Sequence, residues 1–283
     1  MEKQVLIFAV HGFLGVPNDF NFLTENLNPK IYKCELVNLF QNKTTNLSYV
    51  THYRNTVSRN ENLSNSKINN FITENLSENF TSINSFDEWT KKIKNKLLTY
   101  RAQNFKIILC GYSLGGRLLL DIVFNHTDLW DHAHIISSNI GLQNNDEKLQ
   151  RLQSDSIWKT KFISCNSPSD WEHLLKDWNN QDVLKDDFEP VRHENSYQKN
   201  LLGLAFDNWS LGKQNDYWNL IGSFQKTVHL WSGTNDLKFN LLNKKISEIN
   251  PKFNHHSIPN LKHRLIFNKD FQNLLIEQIY KEF

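Results

Sequence analysis

The hexapeptide Gly111-Tyr112-Ser113-Leu114-Gly115-Gly116 follows the apolar run Phe105 to Cys110 and precedes a helix-like stretch from Arg117 to Phe124. A Gly-x-Ser-x-Gly turn at such a corner pushes the serine hydroxyl out of the sheet, and the N-terminus of the next helix steadies negative charge beside it. Two partners for this serine occur in the chain order that the architecture demands, carboxylate before histidine. Asp236 closes Trp231-Ser232-Gly233-Thr234-Asn235-Asp236 just beyond a short apolar strand, and His263 sits in Leu261-Lys262-His263-Arg264, after the candidate strand Phe253 to Ile258. Alone, each is an ordinary turn or loop residue. Together they suit one chemistry, in which a buried carboxylate fixes the imidazole tautomer and the imidazole takes the serine proton. All three are therefore expected at the C-terminal edge of neighbouring strands. An oxyanion site is expected at His11-Gly12-Phe13-Leu14-Gly15, with the backbone N–H groups of Phe13 and Leu114 converging on a developing negative oxygen. His11 is expected to shape that loop rather than to move protons.

Other reactive side chains give weaker signals. His132-x-His134 and His255-His256 have metal-ligating side chains, but no acidic or cysteine partner sits at ligand spacing, so neither metal nor cofactor is expected. Cys110 ends a strand beside the serine turn and reads as core rather than nucleophile. The three cysteines, Cys34, Cys110 and Cys165, have neither the paired count nor the spacing of a disulfide framework.

The elements that must position these groups are short apolar runs alternating with amphipathic segments, the pattern of an α/β sheet with helical crossovers. Candidate strands are Val5 to Val10, Tyr32 to Val37, Lys106 to Cys110, His134 to Ser137, Val228 to Trp231 and Phe253 to Ile258. Phe86 to Tyr100 and Asp270 to Tyr280 carry apolar residues at helical spacing. Residues 41–85 are a polar excursion, expected to hold one short helix and to be largely mobile. Residues 141–222, rich in Trp and Phe, are helix-patterned throughout and read as a cap inserted between two strands. The core is expected to comprise 1–140 and 223–283.

At 283 residues the chain can bury a sizeable core, and 19 Phe, 8 Trp and 8 Tyr supply its material. Lys and Arg number 32 against 30 Asp and Glu, a net +2, so nucleic-acid binding by bulk charge is not expected. The apolar run at the N-terminus is too short for a signal peptide, and no stretch approaches the roughly 18 residues of a membrane span, so a soluble cytoplasmic protein is expected. No pattern fixes the oligomeric state; a monomer is consistent with all of them.

With these residues in place the sequence resembles the α/β-hydrolase superfamily, and within it the 2-succinyl-6-hydroxy-2,4-cyclohexadiene-1-carboxylate synthase family of menaquinone biosynthesis. The superfamily likeness rests on His11 to Gly15, the serine turn, Asp236 and His263. The narrower likeness rests on Gly111 to Arg117, Gly141-Leu142-Gln143-Asn144, Arg151, Ser154-Asp155, Trp158, Asp177-Trp178, Val191-Arg192 and Asp236-Leu237-Lys238-Phe239. It implies a cofactor-free lyase that eliminates pyruvate from 2-succinyl-5-enolpyruvyl-6-hydroxy-3-cyclohexene-1-carboxylate, with Ser113 as base, His263 raising its basicity and Asp236 orienting His263.

A substrate with several carboxylates calls for guanidinium forks. Arg117 lies one helical turn after Ser113, and Arg151 and Arg192 lie in the cap, with Gln143 and Trp178 as polar and apolar lining. Lys238 and Tyr112 join the substrate-binding set by resemblance. Two stretches depart from the family pattern. Asn38-Leu39-Phe40-Gln41 stands where the family has an Asp-x-Pro-Gly-His-Gly turn, and Lys262 precedes His263 where the family has Gly. The same triad also suits a carboxylesterase or thioesterase working through an acyl-enzyme, and the altered loops suit a catalytically silent binding protein of this fold.

Overall fold

The structure, a computed structural model, describes residues 4–40 and 85–283. The expectation of a short helix and mobility within 41–85 lies outside the described residues except at Ser85. Six strands, β1 (Val5–Val10), β2 (Tyr32–Val37), β3 (Lys106–Tyr112), β4 (His132–Ile136), β5 (Val228–Gly233) and β6 (Phe253–Ile258), form one sheet in the order β2-β1-β3-β4-β5-β6. Every pair is parallel. The helices are α1 (Asn21–Asn26), α2 (Phe86–Ala102), α3 (Leu114–Asn125), α4 (Asn145–Ile163), α5 (Pro168–Asn179), α6 (Lys199–Asn208), α7 (Trp218–Ile221), α8 (Leu237–Ile249) and α9 (Lys269–Lys281).

Alternation of side chains across the pleat divides the core in two. Leu6, Phe8 and Val10 of β1 join Leu109 of β3 and Leu230 of β5 beneath α2, α3 and α8, whereas Val5, Ile7 and Ala9 join Cys110, Ile136 and Trp231 beneath α1 and α9. Because both faces are covered, the inner strands read as continuous apolar runs instead of alternating ones. Local chemistry starts the helices: Ser85 caps α2, Asn144 caps α4, Ser167 and Asp170 form a capping box on α5, and Asn268 caps α9.

The architecture is the expected α/β-hydrolase arrangement with a helical cap inserted between β4 and β5. Three details differ. β3 continues past Cys110 to the residue before the serine, and β5 continues to Gly233. β4 starts at His132, paired with Ile108, and stops at Ile136, because Ser137 turns to a positive φ of 46° and leaves the strand. The cap is not helical throughout: between α5 and α6 the chain is turns and one 3-10 turn (Glu194–Ser196), where Asn179-Asn180, a left-handed Asp186 and Pro190 oppose a helix. Among the described residues no helix is long and apolar enough to cross a membrane.

Candidate active site

β3 ends at Tyr112 and α3 begins at Leu114, so Ser113 alone makes the corner. Its φ of 52° and ψ of −111° lie where residues with a Cβ are seldom found, and the surroundings hold it there. The Ser113 N–H donates to Ile136 O at 2.8 Å, and the Ser113 carbonyl accepts from the Arg117 N–H at 3.1 Å. Small neighbours are obligatory: a Cβ on Gly111 would lie 2.6 Å from Gly116 Cα, and one on Gly115 would run into the Val10 carbonyl.

Asp236 follows β5 and stands at the residue before α8 with its side chain making no capping bond to the helix, while His263 lies on the loop after β6. The sheet order places both loops on the C-terminal side with Ser113. His263 Nδ1–H donates to Asp236 Oδ2 at 2.9 Å, and His263 Nε2 lies 3.1 Å from Ser113 Oγ. With the carboxylate fixing the proton on Nδ1, Nε2 is left to accept the serine O–H. Asp236 and His263 are both buried, and the imidazole packs against Tyr112 and Phe239, with ring centroids 5.6 and 4.9 Å away.

The loop after β1 brings Phe13 to the same place. Among the described residues neither the Phe13 N–H nor the Leu114 N–H has a hydrogen-bond partner, and both residues line the cavity in front of Ser113. Two free donors at a helix start and an adjoining loop are what an oxyanion needs. His11 lies beneath them: its Nδ1–H donates to Gly12 O at 2.8 Å and its Nε2 accepts from the Leu39 N–H at 3.1 Å. Burial pushes its pKa down to about 3, so the ring is neutral and ties the loop after β1 to the loop after β2. Phe40 packs on His11 and Phe13 there, with ring centroids 5.8 and 5.5 Å away.

A cavity of about 180 Å³ joins these groups to the cap. Ser113, Leu114, Phe13, His263, Tyr112, Trp178, Arg117, Arg151, Arg192 and Lys238 all line it. Gln143 does not: it is exposed, immediately before the Asn144 cap of α4, so its helix-start position directs it away from the cavity. The aromatic wall is Phe13 with Trp178 and Phe206, both at 4.7 Å between ring centroids.

The basic residues are not equivalent. Arg192 pairs with Asp19 at 2.8 Å, and Arg151 pairs with Asp155 at 2.8 Å. Arg117 instead donates to the neutral oxygens of Trp209 at 2.9 Å and Gln214 at 3.2 Å. Burial, reinforced by the charge of Arg151 and only partly offset by that of Asp155, pushes its pKa down to about 9. Lys238 is exposed at the rim. Lys262 lies outside the cavity and donates to Lys185 O at 2.9 Å.

Sequence reasoning missed Arg264, which is buried and lines the cavity, with its guanidinium held by Phe188 O at 2.8 Å and by Asn179 Oδ1. Its position next to His263 was the available signal. It also missed the counterions Asp19 and Asp155 as pocket residues. On the opposite part of the sheet it missed Glu282, whose carboxylate lies 3.2 Å from His134 Nε2 and 3.2 Å from His229 Nε2.

Comparison with known proteins agrees with the fold. No protein-family model matches the chain. A Haemophilus influenzae protein named as a 2-succinyl-6-hydroxy-2,4-cyclohexadiene-1-carboxylate synthase is 25% identical over 97% of this chain and 98% of its own. The synthase of Escherichia coli strain SE11 is 26% identical over 57% of this chain and 64% of its own. Among solved structures, MenH from Staphylococcus aureus aligns with a TM-score of 0.76 at 17% identity, covering 100% of this chain and 96% of that one. A Thermogutta terrifontis esterase aligns with a TM-score of 0.61 at 11% identity, covering 100% and 92%. The chain therefore has the α/β-hydrolase fold, and its sequence is similar to that of the 2-succinyl-6-hydroxy-2,4-cyclohexadiene-1-carboxylate synthases.

Proposed function

We propose that the protein is a cofactor-free lyase of the synthase type, which eliminates pyruvate from 2-succinyl-5-enolpyruvyl-6-hydroxy-3-cyclohexene-1-carboxylate. The observation that carries this reading is Arg117: a half-buried guanidinium that forms no ion pair among the described residues, one helical turn from Ser113 and facing the same cavity. Such a cation is poised for a substrate carboxylate, and Arg264 and Lys238 add positive charge around it. Arg151 and Arg192 carry their own counterions, so they set the walls and the local field more than they supply new charge.

In this mechanism His263 Nε2 takes the Ser113 proton, and Ser113 Oγ removes a proton from the substrate ring. Electrons shift through the ring, the ring carbon–oxygen bond to the enolpyruvyl group breaks, and the departing enolate gains a proton as the His263 imidazolium gives its proton up, so that pyruvate leaves and Ser113 and His263 return to their starting states. Asp236 holds the His263 tautomer and stabilises the imidazolium that forms. The Phe13 and Leu114 N–H groups stabilise negative charge building on the succinyl carbonyl. Incubation of the purified protein with the enolpyruvyl substrate is expected to release one pyruvate per turnover; no release at micromolar enzyme overturns the lyase.

A second reading is a carboxylesterase or thioesterase that uses the same three residues through an acyl-enzyme. The likeness in fold to the Thermogutta esterase favours it. A burst with an activated ester, together with a covalent adduct on Ser113 during turnover, would select it over the lyase.

A further inference from the structure

We propose that His132, His229 and Glu282 form a binding site for a single divalent ion of the zinc class, which fastens the end of α9 to the sheet. Sequence reasoning set metal aside for want of an acidic partner near the paired histidines; the fold supplies one from far along the chain. His132 and His134 point to the same side of β4, and His229 of β5 and His256 of β6 share that face, beneath α9. Glu282 reaches them from the C-terminal cap of α9, where its side chain is only 3% exposed.

The ligand atoms of His132, His229 and Glu282 all lie within 4.8 Å of one another. His229 Nε2 is 3.2 Å and His132 Nδ1 3.7 Å from Glu282 Oε1. Tetrahedral zinc with bonds near 2.0–2.1 Å separates its ligands by about 3.3 Å, so closure requires the His132 ring to move in toward the carboxylate and toward His229. His132 Nδ1 is buried and has no hydrogen-bond partner among the described residues, although nitrogen atoms in such positions are nearly always satisfied. The outer part of the same ring, whose side chain is 26% exposed, gives an ion a route in from solvent. Two imidazoles and one carboxylate leave a position for water.

The surrounding residues are placed as a metal's outer shell would be. The Trp231 Nε1–H donates to His134 Nδ1 at 3.2 Å, so the His134 proton lies on Nε2 and is donated to Glu282. His134 therefore steadies the carboxylate and is not itself a ligand. His256 Nε2 lies 2.9 Å from His229 Nδ1. On metal binding His229 and His256 each move a proton from Nε2 to Nδ1, which frees His229 Nε2 for the ion while its Nδ1–H donates to His256. Both rings stay neutral.

The test uses the full chain freed of metal with a chelator and titrated with Zn2+ by calorimetry, with Co2+ as a spectroscopic probe. One equivalent of Zn2+ is expected to bind and to raise Tm, and Co2+ is expected to give the visible absorption of a low-coordinate site. His132→Ala removes a nitrogen that makes no hydrogen bond among the described residues, so the variant is expected to fold, as circular dichroism would show, and to lose the one-equivalent binding. Glu282→Gln is expected to lose it too. His134→Ala is expected to weaken it about 10–100-fold. His255→Ala, whose ring bonds to Ser232 away from the carboxylate, is expected to leave it unchanged. Absence of stoichiometric binding, or binding that survives His132→Ala and Glu282→Gln unaltered, overturns the proposal.

Discussion

Two histidine–carboxylate arrangements occupy opposite parts of the same sheet. At the C-terminal edge His263 has one carboxylate on Nδ1 and a serine hydroxyl on Nε2, and the hydroxyl opens onto a cationic cavity. On the α9 face one carboxylate, Glu282, gathers His134 and His229, and His229 passes on to His256 instead of to a reactive group. The pairing chemistry is the same in both. What the far nitrogen meets separates them: a strained hydroxyl beside free N–H donors in one case, further imidazoles under a helix in the other. A buried imidazole–carboxylate pair is therefore no sign of catalysis until its second nitrogen is followed outward.

The strongest way to break this contrast is a crossed pair of substitutions. Ser113→Ala or His263→Ala is expected to lower turnover by about 10³-fold or more, and Ser113→Ala to do so while Tm barely moves. Glu282→Gln is expected to do the reverse, costing about 1–3 kcal/mol of stability through its weakened hydrogen bonds while turnover persists. Kinetics and thermal unfolding of these variants check both. If Glu282→Gln abolished activity in a folded protein, the two regions would not be separable.

Protonation separates them next. His11 is lowered to about 3 and His256 to about 4, mainly by burial, against an unfolded value near 6.5. Between those limits the unfolded chain binds more protons, so stability rises with pH and is lost as pH falls from about 6.5 towards 4. His11, fully buried, accounts for on the order of 3 kcal/mol of that loss by pH 4. Tm measured from pH 7 to 4 is expected to fall accordingly, and His256→Gln is expected to flatten the slope. A Tm that stayed level over this range would contradict the neutral buried rings.

How much of each region could be read in the sequence follows from what each depends on. The serine corner was legible because its requirement is steric and local, fixed by Gly111 and Gly115. Asp236 and His263 were legible because parallel strands deliver successive loops to one edge, so chain order alone placed them. Arg264 and the counterions Asp19 and Asp155 were not, since pairing across the cap depends on how the loop between α5 and α6 folds back. Glu282 was the least legible: it joins His134 across 148 residues, and only the docking of α9 brings it there. Gln143 failed for the opposite reason, since a motif match fixes a residue's identity but not the direction of a side chain at a helix start.

Within the cavity in front of Ser113 the cations sharpen the contrast further. Arg117→Ala is expected to raise KM by about 10–100-fold, the worth of roughly 1.5–3 kcal/mol in a charge-assisted hydrogen bond. Arg117→Lys is expected to recover part of the loss, since it keeps the charge without the fork. Lys262→Ala, outside the cavity, is expected to change KM little, and steady-state kinetics of the three variants would show it. Equal effects at Arg117 and Lys262 would remove the basis for assigning a carboxylated substrate.

The smallest effect is expected at Gln143. Its side chain is exposed and lies outside the cavity, so Gln143→Ala is expected to alter kcat and KM less than twofold and stability by no more than about 0.5 kcal/mol. A large rise in KM would mean that the cap closes over substrate and swings the start of α4 inward, bringing Gln143 to the cavity only in the complex. The same measurement on Arg151→Ala distinguishes the cases, because Arg151 lies on α4 and already lines the cavity beside Asp155. If Gln143→Ala and Arg151→Ala impaired binding alike, α4 would have to move as a unit. If only Arg151→Ala did, the cavity walls are already in place before substrate arrives.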